Sequence, residues 1–382
     1  MLKVLISAGE ASGEMYGAAL LDALRKLSPD PVEAFGLGGE KMRAAGCDII
    51  VDSKDVAVVG IAEVVAHLPR IYGEFHKLLR EADRRKPDVA VLIDFPDFHF
   101  RLAKALHARG IPVVYYVSPQ LWAWRRGRIK LVQRYVKKML VIFPFEEQFY
   151  REHNVEAEFT GHPLGELSVT VDPRTEFAVR YGLDPAKPWV GILPGSRRKE
   201  VQMILPTLID AAKKLGPANE YLLPVASTLD AGWMQAQLLA IPQPPRVTLT
   251  SDARQTLVQS RAAMVASGTA TVEASVLGTP FVMVYRVAPL SWRVGRRLVK
   301  LDRFAMPNLI AGREVVRELV QENFTADKVA AEVSALIEDG PRRAQVLKNL
   351  AEVREHLQSG RTNESAAERA ARSVLSVAQR KD

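Results

Sequence analysis

Three short stretches of this chain combine residue types that do chemistry with a spacing that would expose them. The first is Ile93-Asp94-Phe95-Pro96-Asp97-Phe98, directly after an apolar run. An aspartate at the carboxyl end of a core strand stands where crevice residues of open α/β sheets lie, and Asp94 is therefore a candidate general base. Asp97 precedes a helical pattern and reads as its N-cap. The second stretch is Leu193-Pro194-Gly195-Ser196-Arg197. Gly195 lets backbone approach a ligand, the Ser196 hydroxyl can bond a phosphate oxygen, and Arg197 can fork onto two of them. The third is Ser267-Gly268-Thr269, with Glu273 one turn further on. A small-residue turn feeding a helix points N–H groups outward, where an anion can bind. Glu273 can accept from two neighbouring sugar hydroxyls. A phosphate cradle beside a diol acceptor is the chemistry of a nucleotide diphosphate sugar. Taken alone, the third stretch reads rather as an ordinary strand–turn–helix connection with Glu273 capping or facing water.

The elements that must position these residues are readable as apolar runs separated by helical stretches. Strands are expected at Leu2 to Ser7, Val32 to Leu37, Val89 to Ile93, Val113 to Val117 and Met139 to Ile142. A second set falls at Trp189 to Leu193, Tyr221 to Ala226, Val247 to Leu249, Ala262 to Ala266 and Phe281 to Tyr285. Each set predicts a parallel, doubly wound sheet covered on both faces. The glycine loop Ala8 to Glu14 is not G-x-G-x-x-G, and Gly36-Leu37-Gly38-Gly39 lacks the right helix context, so a nicotinamide cofactor is poorly supported. Sugar transferases that hold a diphosphate through a metal usually show D-x-D; its absence favours a metal-free site and no cofactor.

A chain of 382 residues is too long for one typical core, and two domains are the default. The proline-rich stretch with Pro173, Pro185 and Pro188 carries little apolar pattern and places a boundary near residue 170. The expected division is 1–170, 171–340 and a helical tail, 341–382. The last tail helix uses mostly alanine (Ala366, Ala367, Ala370, Ala371, Ala378) and permits close packing on another helix. No run approaches a membrane span, and Met1 to Glu14 does not read as a signal peptide. The lone Cys47 rules out an intramolecular disulfide and reads as a packed residue. The +8 net charge is clustered at Arg125, Arg126, Arg128, Lys130, Arg134, Lys137 and Lys138, and again at Arg293, Arg296, Arg297, Lys300 and Arg303. Interleaved tryptophans make these surfaces suited to anionic lipid or phosphorylated small molecules, or to an ordinary solvated face. No nucleic-acid motif accompanies them, so nucleic acid is the least favoured partner. Between Gly60 and Leu79 a stripe of Val64, Val65, Leu68, Ile71, Tyr72, Phe75, Leu78 and Leu79 recurs at helical spacing. Most such stripes face a core; peripheral membrane attachment is the other reading.

Two Rossmann-like domains with a phosphate turn in the second resemble the GT-B glycosyltransferases. More closely, AGEASGE (Ala8 to Glu14), VVGIAEVV (Val58 to Val65), IDFPDF (Ile93 to Phe98), YVSPQLWAWR (Tyr116 to Arg125), FTGHPL (Phe159 to Leu164), LPGSR (Leu193 to Arg197), SGTATVEA (Ser267 to Ala274) and MPNLIAGRE (Met306 to Glu314) resemble the lipid-A-disaccharide synthase family. The blocks follow the family's order from residue 8 to about residue 320. LPGSR and SGT are shared with other GT-B enzymes; VSPQLWAW with IDFPDF is specific. The resemblance implies an inverting enzyme at the inner face of a Gram-negative inner membrane. It would join UDP-2,3-diacylglucosamine to 2,3-diacylglucosamine 1-phosphate (lipid X), forming a β-1,6-linked disaccharide and UDP. It implies Asp94 as base, Arg197, Glu273 and Asn308 at the donor site, and a membrane-facing patch over Ile61, Val64, Val65, Leu68, Ile71 and Tyr72. It is also compatible with a homodimer that exchanges the C-terminal region. Two other classes share part of the pattern: a UDP-N-acetylglucosamine 2-epimerase-like enzyme and a non-enzymatic peripheral membrane protein.

Overall fold

The computed structural model describes residues 1–56, 61–166, 169–289, 292–293, 302–358 and 364–379. The chain divides into two units, Met1–Glu166 with Leu357–Asp382, and Leu167–His356. The helix Pro341–Leu357 thus falls almost wholly with the second unit and the helix Ala366–Gln379 with the first, so residues 341–382 are not one tail.

The first unit holds seven strands: β1 (Leu2–Ala8), β2 (Val32–Gly38), β3 (Asp48–Asp52), β4 (Val89–Ile93), β5 (Val113–Tyr116), β6 (Lys138–Val141) and β7 (Ala157–Phe159). Their order is β3-β2-β1-β4-β5-β6-β7, and every pair is parallel. β4 and β5, and β1 from Val4 to Ile6, are unbroken apolar runs because helices cover both faces of the sheet, leaving little room for polar residues. The strand order reverses between β1 and β4, where Ala8 lies beside Ile93. That reversal opens a crevice at the strands' carboxyl ends.

The second unit repeats the plan with β8 (Trp189–Leu193), β9 (Glu220–Pro224), β10 (Val247–Thr250), β11 (Ala262–Ala266), β12 (Phe281–Tyr285) and β13 (Glu318–Val320). The order is β10-β9-β8-β11-β12-β13, again all parallel. Here the reversal falls between β8 and β11, with Leu193 beside Val265.

The helix Ala366–Gln379 packs on the first helix, Ala11–Leu27. Ala366, Ala370, Ala371, Val374 and Val377 are buried there. Arg369 Nε donates to the Thr160 carbonyl at 2.7 Å and the Ser373 hydroxyl donates to Glu158 at 2.6 Å, tying the helix to the β7 end of the sheet. The apolar stripe lies on a helix, Ile61–Arg85. Leu78 and Leu79 are buried in the first unit's core, with Ile71 and Phe75 packed half-buried against it, whereas Tyr72 is 66% exposed. Ile71 therefore belongs to the packing face rather than to a free surface. The side chains of Ile61, Val64, Val65 and Leu68, residues 57–60, and Arg296, Arg297, Lys300 and Thr362 lie outside the described residues. Among the described residues no helix is long and apolar enough to cross a membrane. Cys47 is buried, and burial followed by the Asp48 charge pushes its thiol up to about 12, so it is unreactive.

Candidate active site

Each of the three chemistry-bearing stretches occupies a switch point. Asp94 follows β4, and the Gly9–Glu10 turn follows its neighbour β1. Leu193–Arg197 follows β8, and Ser267–Thr269 follows β11.

Asp94 is held in an unusual backbone. Asp94 and Phe95 both have φ near 50°, the left-handed region that side chains with a Cβ rarely adopt. Three bonds fix the peptide there. The Asp94 N–H donates to the Tyr116 carbonyl at 3.1 Å. The Asp94 carbonyl accepts from the Tyr115 hydroxyl and from His99 Nδ1, both at 2.6 Å. A carbonyl can only accept, so His99 carries its proton on Nδ1, and Nε2 accepts from the Ser7 hydroxyl at 2.8 Å. Burial holds His99 down to about 4, which keeps the ring neutral and this tautomer in place. Phe95 is packed against the β1 loop: a Cβ on Gly9 would come within 2.4 Å of its ring. The Asp94 carboxyl rises to about 6, first through burial and then through the nearby Glu10 charge, with the Phe95 N–H working the other way. A carboxylate poised near neutrality is what a general base needs.

A pocket of about 210 Å³ opens at Asp94, lined also by Pro96, Ser118 to Leu121, Trp124, Arg125 and Arg128. Arg125, which lines it, and Val117, the residue before the lining Ser118, have positive φ as well, 53° and 63°. A β-branched residue in that region is a genuine outlier, and strain of about 1–3 kcal/mol per residue persists only where its surroundings enforce it. Four of the eight non-glycine residues with positive φ among the described residues thus gather around one small pocket. Asp97 is not the N-cap: the helix runs Pro96–His107 and its cap is Phe95, which offers no side-chain bond. Asp97 instead pairs with Arg125, at 3.2 Å, and Arg128. Burial raises its carboxyl, but the Arg128 and Arg125 contacts outweigh that and hold it low.

In the second unit Gly195 has φ 119°, and a Cβ there would strike the Glu200 carboxylate. Glu200 Oε2 accepts from the Ser196 N–H at 3.2 Å, and Thr228 donates to the Ser196 carbonyl at 2.6 Å. Arg197 is the exposed N-cap of the helix Arg198–Leu215 and makes no ion pair among the described residues. Gly268, φ 146°, caps the helix Thr269–Val276. Ser267 donates to the Phe304 carbonyl at 3.3 Å, and the Ser267 N–H bonds Val284 at 2.9 Å. Glu273 is neither a cap nor a fully solvated residue: its Oε1 accepts from Arg254 Nε at 2.9 Å, which leaves the second oxygen for another donor.

Asn308 departs from its expected donor-site role. It is 1% exposed. Its Nδ2 donates to the Val316 carbonyl at 2.9 Å and to Glu318 at 2.7 Å, and its Oδ1 accepts from the N–H groups of Val315 at 2.7 Å and Val316 at 2.9 Å. Two donors and two acceptors are all that an amide has. Asn308 therefore braces the loop before β13 and offers nothing to a ligand in this conformation. Glu10, His99, Glu200 and Arg254 were missed in the sequence. Only Glu200 carries a local signal, a glutamate at the third helical position reaching back to the turn. Among the described residues no group of His, Cys, Asp and Glu is arranged to hold a metal ion.

Two parallel-sheet α/β units with small-residue turns at both switch points define a GT-B fold. Solved structures share it. One is UDP-GlcNAc 2-epimerase from Neisseria meningitidis bound to UDP-GlcNAc, at TM-score 0.64 and 13% identity over 98% of this chain and 99% of that one. Another is MurG of Acinetobacter baumannii, at TM-score 0.57 and 14% identity over 98% and 100%. The family model for lipid-A-disaccharide synthetase matches residues 4–374. The chain is 54% identical to the lipid-A-disaccharide synthase of Acidobacterium capsulatum, over 93% of this chain and 91% of that one. It is 42% identical to that of Myxococcus xanthus, over 98% and 97%. The chain belongs to the lipid-A-disaccharide synthetase family.

Proposed function

We propose that this chain is an inverting hexosyltransferase joining UDP-2,3-diacylglucosamine to 2,3-diacylglucosamine 1-phosphate, with release of UDP. The acceptor 6-hydroxyl attacks the anomeric carbon of the donor. Its oxygen forms the new glycosidic bond as the bond from that carbon to the diphosphate breaks, and its proton passes to the Asp94 carboxylate. An α-linked donor then gives a β-1,6-linked disaccharide. The observation that carries this reading is Asp94, a carboxyl raised to about 6 at the mouth of a strained pocket on the β1–β4 switch point.

The second unit holds the donor. Charge developing on the leaving UDP is met by Arg197, by the Gly195–Ser196 turn and by the N–H groups near Ser267, Gly268 and Thr269. Glu200 engages the Ser196 N–H, so diphosphate binding at that turn displaces its carboxylate. Glu273, steadied by Arg254, accepts from the ribose hydroxyls. Asn308 supports this site from behind through Glu318, whose Oε2 holds the Phe304 N–H and whose Oε1 holds the Ala305 N–H.

Because both substrates carry acyl chains, the chain works as a peripheral protein at the inner face of the inner membrane. Support comes from the spacing of Ile61, Val64, Val65 and Leu68 and from the exposed Tyr72. Exchange of the Ala366–Gln379 helix between two copies would give a homodimer with the same helix–helix contact. The deciding experiment is UDP release in detergent from UDP-2,3-diacylglucosamine, with and without the acylated acceptor phosphate. Acceptor-dependent release supports the reading. Turnover of UDP-N-acetylglucosamine alone would overturn it in favour of epimerase chemistry.

A further inference from the structure

We propose that Arg125 and Arg128 form a phosphomonoester subsite beside Asp94, which takes the acceptor's phosphate in place of the Asp97 carboxylate. This rests on the functional reading above.

The two guanidinium groups converge on one atom, Asp97 Oδ1. Asp97 is largely exposed, and an ion pair in water contributes little to stability. The arrangement is also unbalanced. Two guanidinium groups carry two charges and ten N–H donors, but one carboxylate supplies a single charge and two oxygens. A phosphomonoester carries close to two negative charges at neutral pH and three acceptor oxygens, a better match in both respects.

The arginines are also held in place. Arg125 lies over the Trp124 ring at 4.3 Å, and Arg128 over Phe100 at 5.7 Å. Arg125 occupies a left-handed backbone that a long side chain rarely adopts. Their neighbour Arg126 donates to the Trp122 carbonyl instead, so the basic run is not a uniform solvated face. Arg125, Arg128 and Asp94 line the same pocket, together with the 41% exposed Trp124, a flat apolar surface. In a glucosamine 1-phosphate the phosphate on C1 and the hydroxymethyl on C5 flank the ring oxygen, so two separate groups along one edge of the sugar can engage them. The pocket matches that pattern, with a proton acceptor at one place and a dication at another.

The test is steady-state UDP release in micelles with two acceptors, 2,3-diacylglucosamine 1-phosphate and 2,3-diacylglucosamine lacking the phosphate. Arg125→Ala and Arg128→Ala should each raise KM for the phosphorylated acceptor about 10- to 100-fold, as expected for loss of a charged hydrogen bond. Rates with the unphosphorylated acceptor and the affinity for UDP should not move. Arg128→Lys, which keeps charge and fold but loses the fork, should fall between. Asp97→Asn should lower KM for the phosphorylated acceptor, because the competing anion is gone. Equal losses with both acceptors would overturn the subsite and make the arginines props of the pocket. Unchanged KM with lost flotation on vesicles containing anionic phospholipid would assign them to a lipid headgroup instead. Wild-type protein releasing no UDP with either acceptor would overturn the functional reading, and this subsite with it.

Discussion

Replacing Asp94 with asparagine should make the protein more stable and nearly inactive at once, and both effects can be sized. The rise of its carboxyl from an ordinary 3.8 to about 6 is equivalent to about 3 kcal/mol of difference between the two protonation states. The sign runs opposite to that of a salt-bridged aspartate. The folded state binds this proton more tightly than the unfolded state, so between those two values stability falls as pH rises. Above about pH 6 the full penalty of the buried charge is present; below the ordinary value it is gone. Asp94→Asn keeps the shape and removes the charge. At pH 8 it should raise the unfolding temperature of the first unit, by roughly 2–4 °C per kcal/mol recovered. At pH 4 it should gain little. Loss of a positioned base should meanwhile lower kcat about 100- to 10,000-fold with UDP affinity unchanged. Thermal unfolding at the two pH values, beside UDP-release kinetics, checks both halves. A variant no more stable at pH 8 would refute the assigned cause of the shift. One that stays active would remove Asp94 from the chemistry.

In the wild type, kcat/KM should show an acidic limb near pH 6, and Glu10→Gln should move that limb to lower pH by removing a like charge; a limb that stays put would show that Glu10 does not reach Asp94. Asn308→Asp should destabilise the second unit by about 2–4 kcal/mol, because it strands the Val316 carbonyl and sets a second carboxylate against Glu318. Urea unfolding measures that loss, and unfolding unchanged from wild type would show that the Asn308 bonds are dispensable. Tyr72→Ser should weaken vesicle flotation at unchanged stability, whereas Ile71→Ser should lower stability because Ile71 packs on the core; reversal of the two would exchange their faces.

Ten of the strands were legible as apolar runs: nine have a neighbour on each side, which leaves little room for polar residues, and the tenth, β10, is an edge strand that was legible all the same. β3, β7 and β13 were not, and all three are sheet edges. An edge strand is short and partly solvated, so nothing obliges it to be uniformly apolar. The switch-point turns were legible for a related reason. Small residues between a core strand and a helix mark where backbone must come close to a ligand, and Gly195 and Gly268 do have positive φ. The strained pocket was invisible. Asp94, Phe95, Val117 and Arg125 have no composition that announces a left-handed backbone; at Asp94 and Val117 long-range bonds to strand β5 and strand β6 hold it.

Hydrogen-bonding capacity separates the residues that position a site from those that act in it, and sequence shows capacity only in total. Asn308 and Arg197 are both polar residues in motif blocks that resemble one family. Asn308 has every donor and acceptor engaged by its own loop, so its loss would be read as a fall in stability before any fall in binding. Arg197 stands exposed at a helix start with no ion pair among the described residues, so its loss would be read as weaker binding of an anion. Glu273 lies between them, with one oxygen committed to Arg254 and one left over. Its substitution should therefore move both quantities, and Arg254→Ala should reproduce the part that is positional.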